Sequence, residues 1–381
     1  MRALVVGGTG PTGPYVVNGL VERGYEVAIL HSGRHEVDSI PPDLEHIHTD
    51  AFDPAAVDSA LAGRTFDVAF VMYGRLRELA RLLAGRVGKF VSVGGVPVYR
   101  GYGSPLVLEP PGLRAPTRED AAKARESDGG DENLKVVRIV ETEDAVFRHH
   151  PTASHIRYPL IYGPDQLIPR EWMVVRRILD GRRKIILPDG GLFLRTAAFA
   201  ANAAHALLLT VDRPDASAGQ AYTASDEWTP TLRQLVEIIA DALDHRLEIV
   251  EMPYELATPG HPLMMLADPF HRLTPADKLV HQLGYRDRVP VEEAIAFTAR
   301  WLADHPLEYG GRTERGLLQD RFNYEAEDRL IEGWERARDD LRPLAAAADP
   351  GFLDRYAPDY ETRRAARRAA RDTREPQARE A

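Results

Sequence analysis

Over its first hundred residues the chain alternates short, β-branched apolar runs with longer stretches in which apolar residues recur three and four positions apart. A run of four to six apolar residues bounded by Gly, Pro, Asn or Asp reads as a buried strand, whereas the wider spacing gathers apolar side chains on one helical face. The pattern predicts strands over 2–6, 26–30, 46–49, 68–72 and 89–93, with helices over 12–23, 54–62 and 76–85 between them. A sixth strand is expected over 154–158, after a helix over 134–148. Strand and helix in strict alternation imply an α/β fold, a doubly wound parallel sheet with helices on both faces.

Two stretches break the rhythm. Residues 104–133 carry prolines at 105, 110, 111 and 116 followed by ESDGGDEN, which predicts a long solvent-facing loop. From YPLIYGPDQLIPREW onward the spacing turns irregular, predicting a smaller mixed α/β lobe with amphipathic helices over 229–245, started by Thr229 or Thr231, and over 289–305. Past Pro306 the chain becomes strongly charged, and Arg363, Arg367 and Arg371 share one face of a short Ala-rich helical pattern; a solvated, frayed end is expected there.

The first strand runs into GGTGPTG, and the first helix follows at once. In that context Gly7, Gly10 and Gly13 have separate uses: a tight turn, a close backbone approach to a pyrophosphate, and close packing of helix on strand. The helix N-terminus adds unpaired amides and positive partial charge. The expected domains follow: a Rossmann-like dinucleotide-binding domain over 1–162 that also uses about 195–225, a substrate lobe over 163–305, and a charged extension over 306–381. At the tip of the second strand an acid would select the ribose 2′-hydroxyl of NAD, and an Arg the 2′-phosphate of NADP. His31, Ser32 and Arg34 stand there, with no acid before Glu36, so NADP is expected over NAD. Asp50 is placed near the adenine edge, Asp53 as the cap of the following helix, and Met72, Tyr73 and Gly74 along the cofactor crevice.

Composition narrows the partners. The 381 residues carry 58 acidic and 48 basic side chains, a formal charge of −10, which argues against nucleic acid and anionic membranes and for a small-molecule substrate. The absence of cysteine excludes disulfides and thiolate chemistry. No apolar run reaches the roughly 20 residues of a membrane span. Met1 and Arg2 lead straight into a strand, so no signal peptide and a cytoplasmic location are expected. Histidines occur at 31 and 35, 46 and 48, and 149, 150 and 155, but none forms HExxH and the pairs fall on different elements, so no metal is expected. His149-His150-Pro151 reads as a helix end.

The motifs together resemble the extended short-chain dehydrogenase/reductases, the superfamily of NAD-dependent epimerases and dehydratases. GGTGPTG is similar to its GxxGxxG loop, with Pro11 and Thr12 beside the pyrophosphate; FVSVGGVPVY resembles its fifth strand, with Ser92 at the cofactor; and IRYPLIYGP resembles its RPxxxYGP segment, where Tyr158, Pro159 and Leu160 would border the nicotinamide. TPADKLVHQLGYRDRVPVEEAIAFTARWL looks like its closing segment. The resemblance covers about the first 305 residues and implies an oxidoreductase, epimerase or dehydratase acting on a hydroxyl- or carbonyl-bearing molecule such as a nucleotide-sugar or secondary metabolite. By the same analogy Arg182, Arg183 and Lys184 would meet a diphosphate, and a homodimer would form through the helices over 76–85 and 134–148.

The family's catalytic set is missing. Its Tyr and Lys, spaced YxxxK, work because a neighbouring ammonium lowers a phenol that otherwise titrates near 10. Aligning Val98-Tyr99 with the family's VY puts Gly95 at its Ser or Thr position, and anchoring on Glu143 puts Lys135 and Ile139 at its Tyr and Lys positions. No tyrosine lies between Tyr102 and Tyr158. Three readings stay open: proton transfer by Tyr99, Tyr102 or Lys135; a catalytically silent NADP-binding regulatory or interaction protein; or chemistry without net redox change.

Overall fold

The computed structural model describes residues 1–366 except 35, 130, 267, 353, 354 and 357. His35, Arg367 and Arg371 therefore lie outside the described residues. Two compact units divide the chain, Met1–Phe322 and Asn323–Ala381.

The first unit is built on β1 (Arg2–Val6), α1 (Gly13–Glu22), β2 (Glu26–His31), β3 (Glu45–His48), α2 (Pro54–Leu61), β4 (Phe66–Val71), α3 (Leu76–Leu82), β5 (Val87–Gly95), α4 (Asp131–His149) and β6 (Ser154–Tyr158). Each lies within a few residues of its expected span. With a later strand, β10 (Gln220–Thr223), these strands form one parallel seven-stranded sheet in the order β10-β6-β5-β4-β1-β2-β3, so the chain order reverses between β1 and β4. Strands buried on both faces need apolar residues along their length, and β1 supplies them from Ala3 to Val6. Ala3 and Val5 pack with Val16, Leu20 and Leu207 on one side, while Leu4 and Val6 pack with Val57, Leu79 and Val146 on the other.

Beyond β6 come β7 (Leu160–Tyr162), α5 (Trp172–Leu179), β8 (Lys184–Pro188), β9 (Ala197–Phe199) and α6 (Ala200–Asp212), then β10 (Gln220–Thr223). β10 returns to the sheet beside β6, and α6 covers the face that α1 shares. The smaller lobe holds α7 (Leu232–Ala242), β11 (Glu248–Met252), α8 (His261–Met264), α9 (Asp277–Leu283) and α10 (Val291–Asp304), with β8 paired to β11 and β7 to β9. Thr231 starts α7 in a reciprocal capping box with Gln234. Trp172 anchors the lobe, fully buried with its indole N–H donated to Glu314.

The proline-rich loop is mostly exposed, as its composition predicts, and is tied down at a few points. The Thr117 amide donates to the Leu273 carbonyl at 2.7 Å, and Lys123 bonds to Glu143, so backbone pairing and charge pull the segment onto the body. In the second unit α11 (Tyr324–Ala347) is capped by the Asn323 side chain on the Ala326 amide. Among the described residues no helix is long and apolar enough to cross a membrane.

Candidate functional site

The glycine loop sits at the C-terminal end of β1, where the strand order reverses and doubly wound sheets open a crevice. Its three glycines differ in what a side chain would meet. A Cβ on Gly13 would lie 2.1 Å from the Gly8 oxygen, so α1 touches the strand end only because nothing is there. Gly7 holds φ at +88° and packs against Tyr73, where a Cβ would come within 2.3 Å. A Cβ on Gly10 would meet nothing within 4 Å. Among the described residues the amides of Gly10 and Thr12 bond to no backbone carbonyl, while the Gly13 amide closes the turn onto Gly10. Pro11 brings no amide of its own. Thr12 is buried at the start of α1 and lies against Tyr158, whose phenol burial raises above its ordinary pKa.

Around this loop the expected crevice residues gather at the strand tips. The Met72 amide donates to the Val6 carbonyl, and Gly74 (φ +91°) is pressed against Ala51. Asp50 turns its carboxylate onto the Phe52 amide, and Asp53 caps α2 as expected. Phe52 and Tyr73 remain exposed and stack edge to face at 5.0 Å, leaving an aromatic pair at the crevice rim. Pro159 is buried after β6, and Leu160 opens β7.

At the tip of β2, Ser32 and Arg34 are exposed and His31 is buried. Register then joins residues far apart in sequence: His31 pairs with His48, and Ile29 with His46. The two β3 histidines, being two residues apart, share a face beside His31. His31 Nε2 lies 2.8 Å from His46 Nδ1, and the Glu36 carboxylate reaches His31, His46 and His48 at 3.8, 3.5 and 3.4 Å. The linear spacing that argued against a metal does not see this cluster. The signal was a His-x-His strand next to a strand ending in His.

Between β5, β6 and α4 runs a closed polar network. Ser92 Oγ bonds to His155 Nδ1 at 2.8 Å, and His155 Nε2 faces Glu143 at 3.6 Å. Glu143 takes both prongs of Arg157 at 2.8 Å and Lys123 at 2.7 Å. Burial alone would raise Glu143, but these cations outweigh it and hold the carboxyl down at about 2. Burial lowers His155 to about 4 and keeps it neutral. The Ser-His-Glu order mimics a nucleophilic triad, yet Ser92, His155 and Glu143 are at most 1% exposed, so no substrate reaches them. A Cβ on Gly94 would sit 2.2 Å from His155 Nε2, so His155 can lie over the end of β5 only because that position is glycine.

The three residues named for proton transfer occupy different settings. Tyr99 is 1% exposed, its hydroxyl taken by Arg157 at 3.0 Å and Thr223 at 3.1 Å, and burial raises its pKa. Lys135 lies on the exposed face of α4. The inward face is carried by Val136, Ile139 and Val140, and Ile139 and Val140 pack on Val96, Val98, Tyr99 and Tyr102, so the family's lysine position is filled with hydrocarbon. Tyr102 is buried with Arg272 over its ring at 5.6 Å, and its phenol lies beside the Arg195 guanidinium.

Arg195 leads to a cavity in the smaller lobe, lined among others by Tyr162, Arg170, Glu171, Asp226 and Trp228. Arg170 Nε, Arg195 Nε and Glu171 Oε2 are buried there and meet no partner among the described residues. Leaving such groups dry costs about 1–3 kcal/mol each. On its floor Asp226 accepts from Tyr162, Asn202 and the Phe199 amide. Burial, with Asp287 nearby, still holds Asp226 up at about 7. Of the basic turn, Arg183 is exposed and Lys184 faces Glu248 at 3.9 Å, and neither lines this cavity.

No protein-family model matches the sequence, and no curated protein matches it. Solved structures do share its fold. A UDP-glucose 4-epimerase from Thermotoga maritima with UDP-glucose aligns over 80% of this chain and 99% of its own at 17% identity, with a TM-score of 0.61. A dTDP-glucose 4,6-dehydratase from Bacillus anthracis in complex with NAD aligns over 80% and 97% at 16% identity and 0.59. A UDP-glucose 4-epimerase from Bifidobacterium longum in complex with NAD+ and UDP aligns over 80% and 99% at 15% identity and 0.60. The chain thus shares the fold of these epimerases and this dehydratase.

Proposed function

We propose that the chain binds NADP along the β1–β4 crevice and acts as an oxidoreductase or epimerase on a small hydroxyl- or carbonyl-bearing molecule held in the smaller lobe. The observation that carries this reading is the open side of Gly10: the loop leaves room for a phosphate where the amides of Gly10 and Thr12 await acceptors. A glycine there serves a ligand, since the fold itself makes no use of the space. Ser32 and Arg34 would receive the 2′-phosphate, and Glu36, the first acid after β2, is already engaged by histidines instead of facing a ribose hydroxyl. Phe52, Tyr73 and Asp50 would flank the adenine, and Tyr158, Pro159 and Leu160 the nicotinamide end. The structures of similar fold that hold NAD and nucleotide-sugars support the class of ligand.

Bound there, the nicotinamide would supply or accept the hydride. The chain's own task is to hold the substrate and move a proton. Arg170 and Arg195 each carry a buried Nε–H that meets no partner among the described residues and would bond to a polar group of the substrate. Tyr102, whose phenol lies beside Arg195 with Arg272 over its ring, is the proton carrier in this reading. Tyr102→Phe should lower kcat by about 10²–10⁴, the range for a lost acid-base group, and leave NADP affinity unchanged. Full turnover in the variant, followed by nicotinamide absorbance, would remove Tyr102 from this role.

A second reading, a silent NADP-binding regulatory protein, is favoured by Ile139 and its apolar neighbours in place of the family's proton relay. Calorimetric NADP binding without turnover across hydroxyl and carbonyl substrates, nucleotide-sugars included, would select it over the first.

A further inference from the structure

We propose that His31, His46, His48 and Glu36 form a site for one divalent transition-metal ion of the zinc class, at the edge of the sheet beside the glycine crevice. Four ligand atoms, three imidazole nitrogens and a carboxylate oxygen, all lie within 4.8 Å of one another. With metal–ligand bonds of about 2.0–2.1 Å, the edges of a tetrahedral shell are about 3.3 Å. Glu36 Oε1 lies 3.4 Å from His48 Nε2 and 3.8 Å from His31 Nε2, and Oε2 lies 3.5 Å from His46 Nδ1, so the carboxylate faces all three imidazoles at close to shell-edge distances. The 2.8 Å edge between His31 and His46 must open by roughly half an ångström to reach that shell.

Without an ion, one ring donates an N–H to the other across that short edge. With an ion, both nitrogens turn lone pairs to it. His31 must then carry its proton on Nδ1, giving up only the long 3.4 Å approach of the Gly33 amide. The ring needs no net loss of a proton for this exchange.

The ligands come from rigid and open parts together. His31 is buried at the end of β2, His46 is half-buried on β3, and His48 and Glu36 are exposed, so the inner half is fixed by the sheet and the outer half admits an ion from solvent. Imidazoles with one carboxylate suit Zn2+, Cu2+, Ni2+ or Co2+ and not the oxygen shells of Mg2+ or Ca2+. The ion would bridge Glu36 to β2 and β3.

The test uses the full chain stripped with a chelator and titrated with Zn2+ and with Co2+. One ion per chain is expected, with the intense visible bands of four-coordinate Co2+. His46→Gln and the exposed His48→Ala should each weaken binding by at least the ~10–100-fold that loss of even an outer-shell partner costs. Circular dichroism establishes that both variants stay folded, and His48→Ala serves if His46→Gln does not. Absence of a stoichiometric ion, affinity unchanged in the folded variants, or the weak bands of six-coordinate Co2+ would each overturn the proposal. None of these readouts depends on NADP binding or turnover.

Discussion

Replacing Gly10 by alanine separates what the glycine loop does for the fold from what it does for a ligand. The added Cβ meets nothing within 4 Å, and Gly10 does not hold a left-handed φ, so the folded chain accepts the methyl without strain. Its stability should stay within about 0.5 kcal/mol of the parent. A diphosphate lying against the Gly10 and Thr12 amides would be pushed away. Each charge-assisted hydrogen bond lost is worth about 1.5–3 kcal/mol, so NADP affinity should fall about 10- to 150-fold. Gly13→Ala is the contrast: its Cβ would lie 2.1 Å from the Gly8 oxygen and 2.3 Å from the Gly8 carbon. Helix α1 must retreat, at an overpacking cost of about 1–3 kcal/mol. Thermal melts and calorimetric NADP titrations of the three proteins provide the comparison. If Gly10→Ala binds NADP within twofold of the parent, the amides do not grip phosphate; if it melts as early as Gly13→Ala, the open space has been misread.

Two further predictions concern buried carboxyls. Glu143→Gln leaves Arg157 buried without its counter-charge and should cost about 3–5 kcal/mol in urea unfolding; a loss under 1 kcal/mol would mean the network is solvated. Because the folded Glu143 is held at about 2 against an ordinary 4.5, its contribution is complete above pH 4.5 and is lost as pH falls toward 2, an acid dependence the Gln variant should lack. Asp226 has the opposite sign: raised from 3.8 to about 7, its proton is held more tightly in the folded state, so its contribution declines as pH rises through that interval. Asp226→Asn should therefore flatten the profile and stabilise the chain at pH 8 by up to ~4 kcal/mol; an unchanged slope between pH 4 and 7 would refute the assignment.

The sheet was legible because its strands are buried on both faces, so β1, β2 and β4 announce themselves as apolar runs whatever their neighbours. The glycine loop was legible because its function is local. What failed to show was contact between distant segments. β10, four residues after a loop, has no periodicity of its own and becomes a strand only beside β6. The His31–His46–His48 cluster requires the β2–β3 register, and Gly94 makes sense only once His155 is seen lying over it. Lys135 shows the limit of alignment: counting from Glu143 places it at a catalytic position, but the inward stripe of α4 runs through 136, 139, 140 and 143, leaving 135 outside.

The sheet ends on both sides in strands of only four residues, β3 and β10. So short a ladder offers a neighbouring backbone few amides to pair with, and β3 flanks its one buried apolar residue, Ile47, with imidazoles. Copies of this chain are thereby discouraged from growing into a continuous ribbon through their rims, and any stable assembly must find its contact area on helices and loops instead.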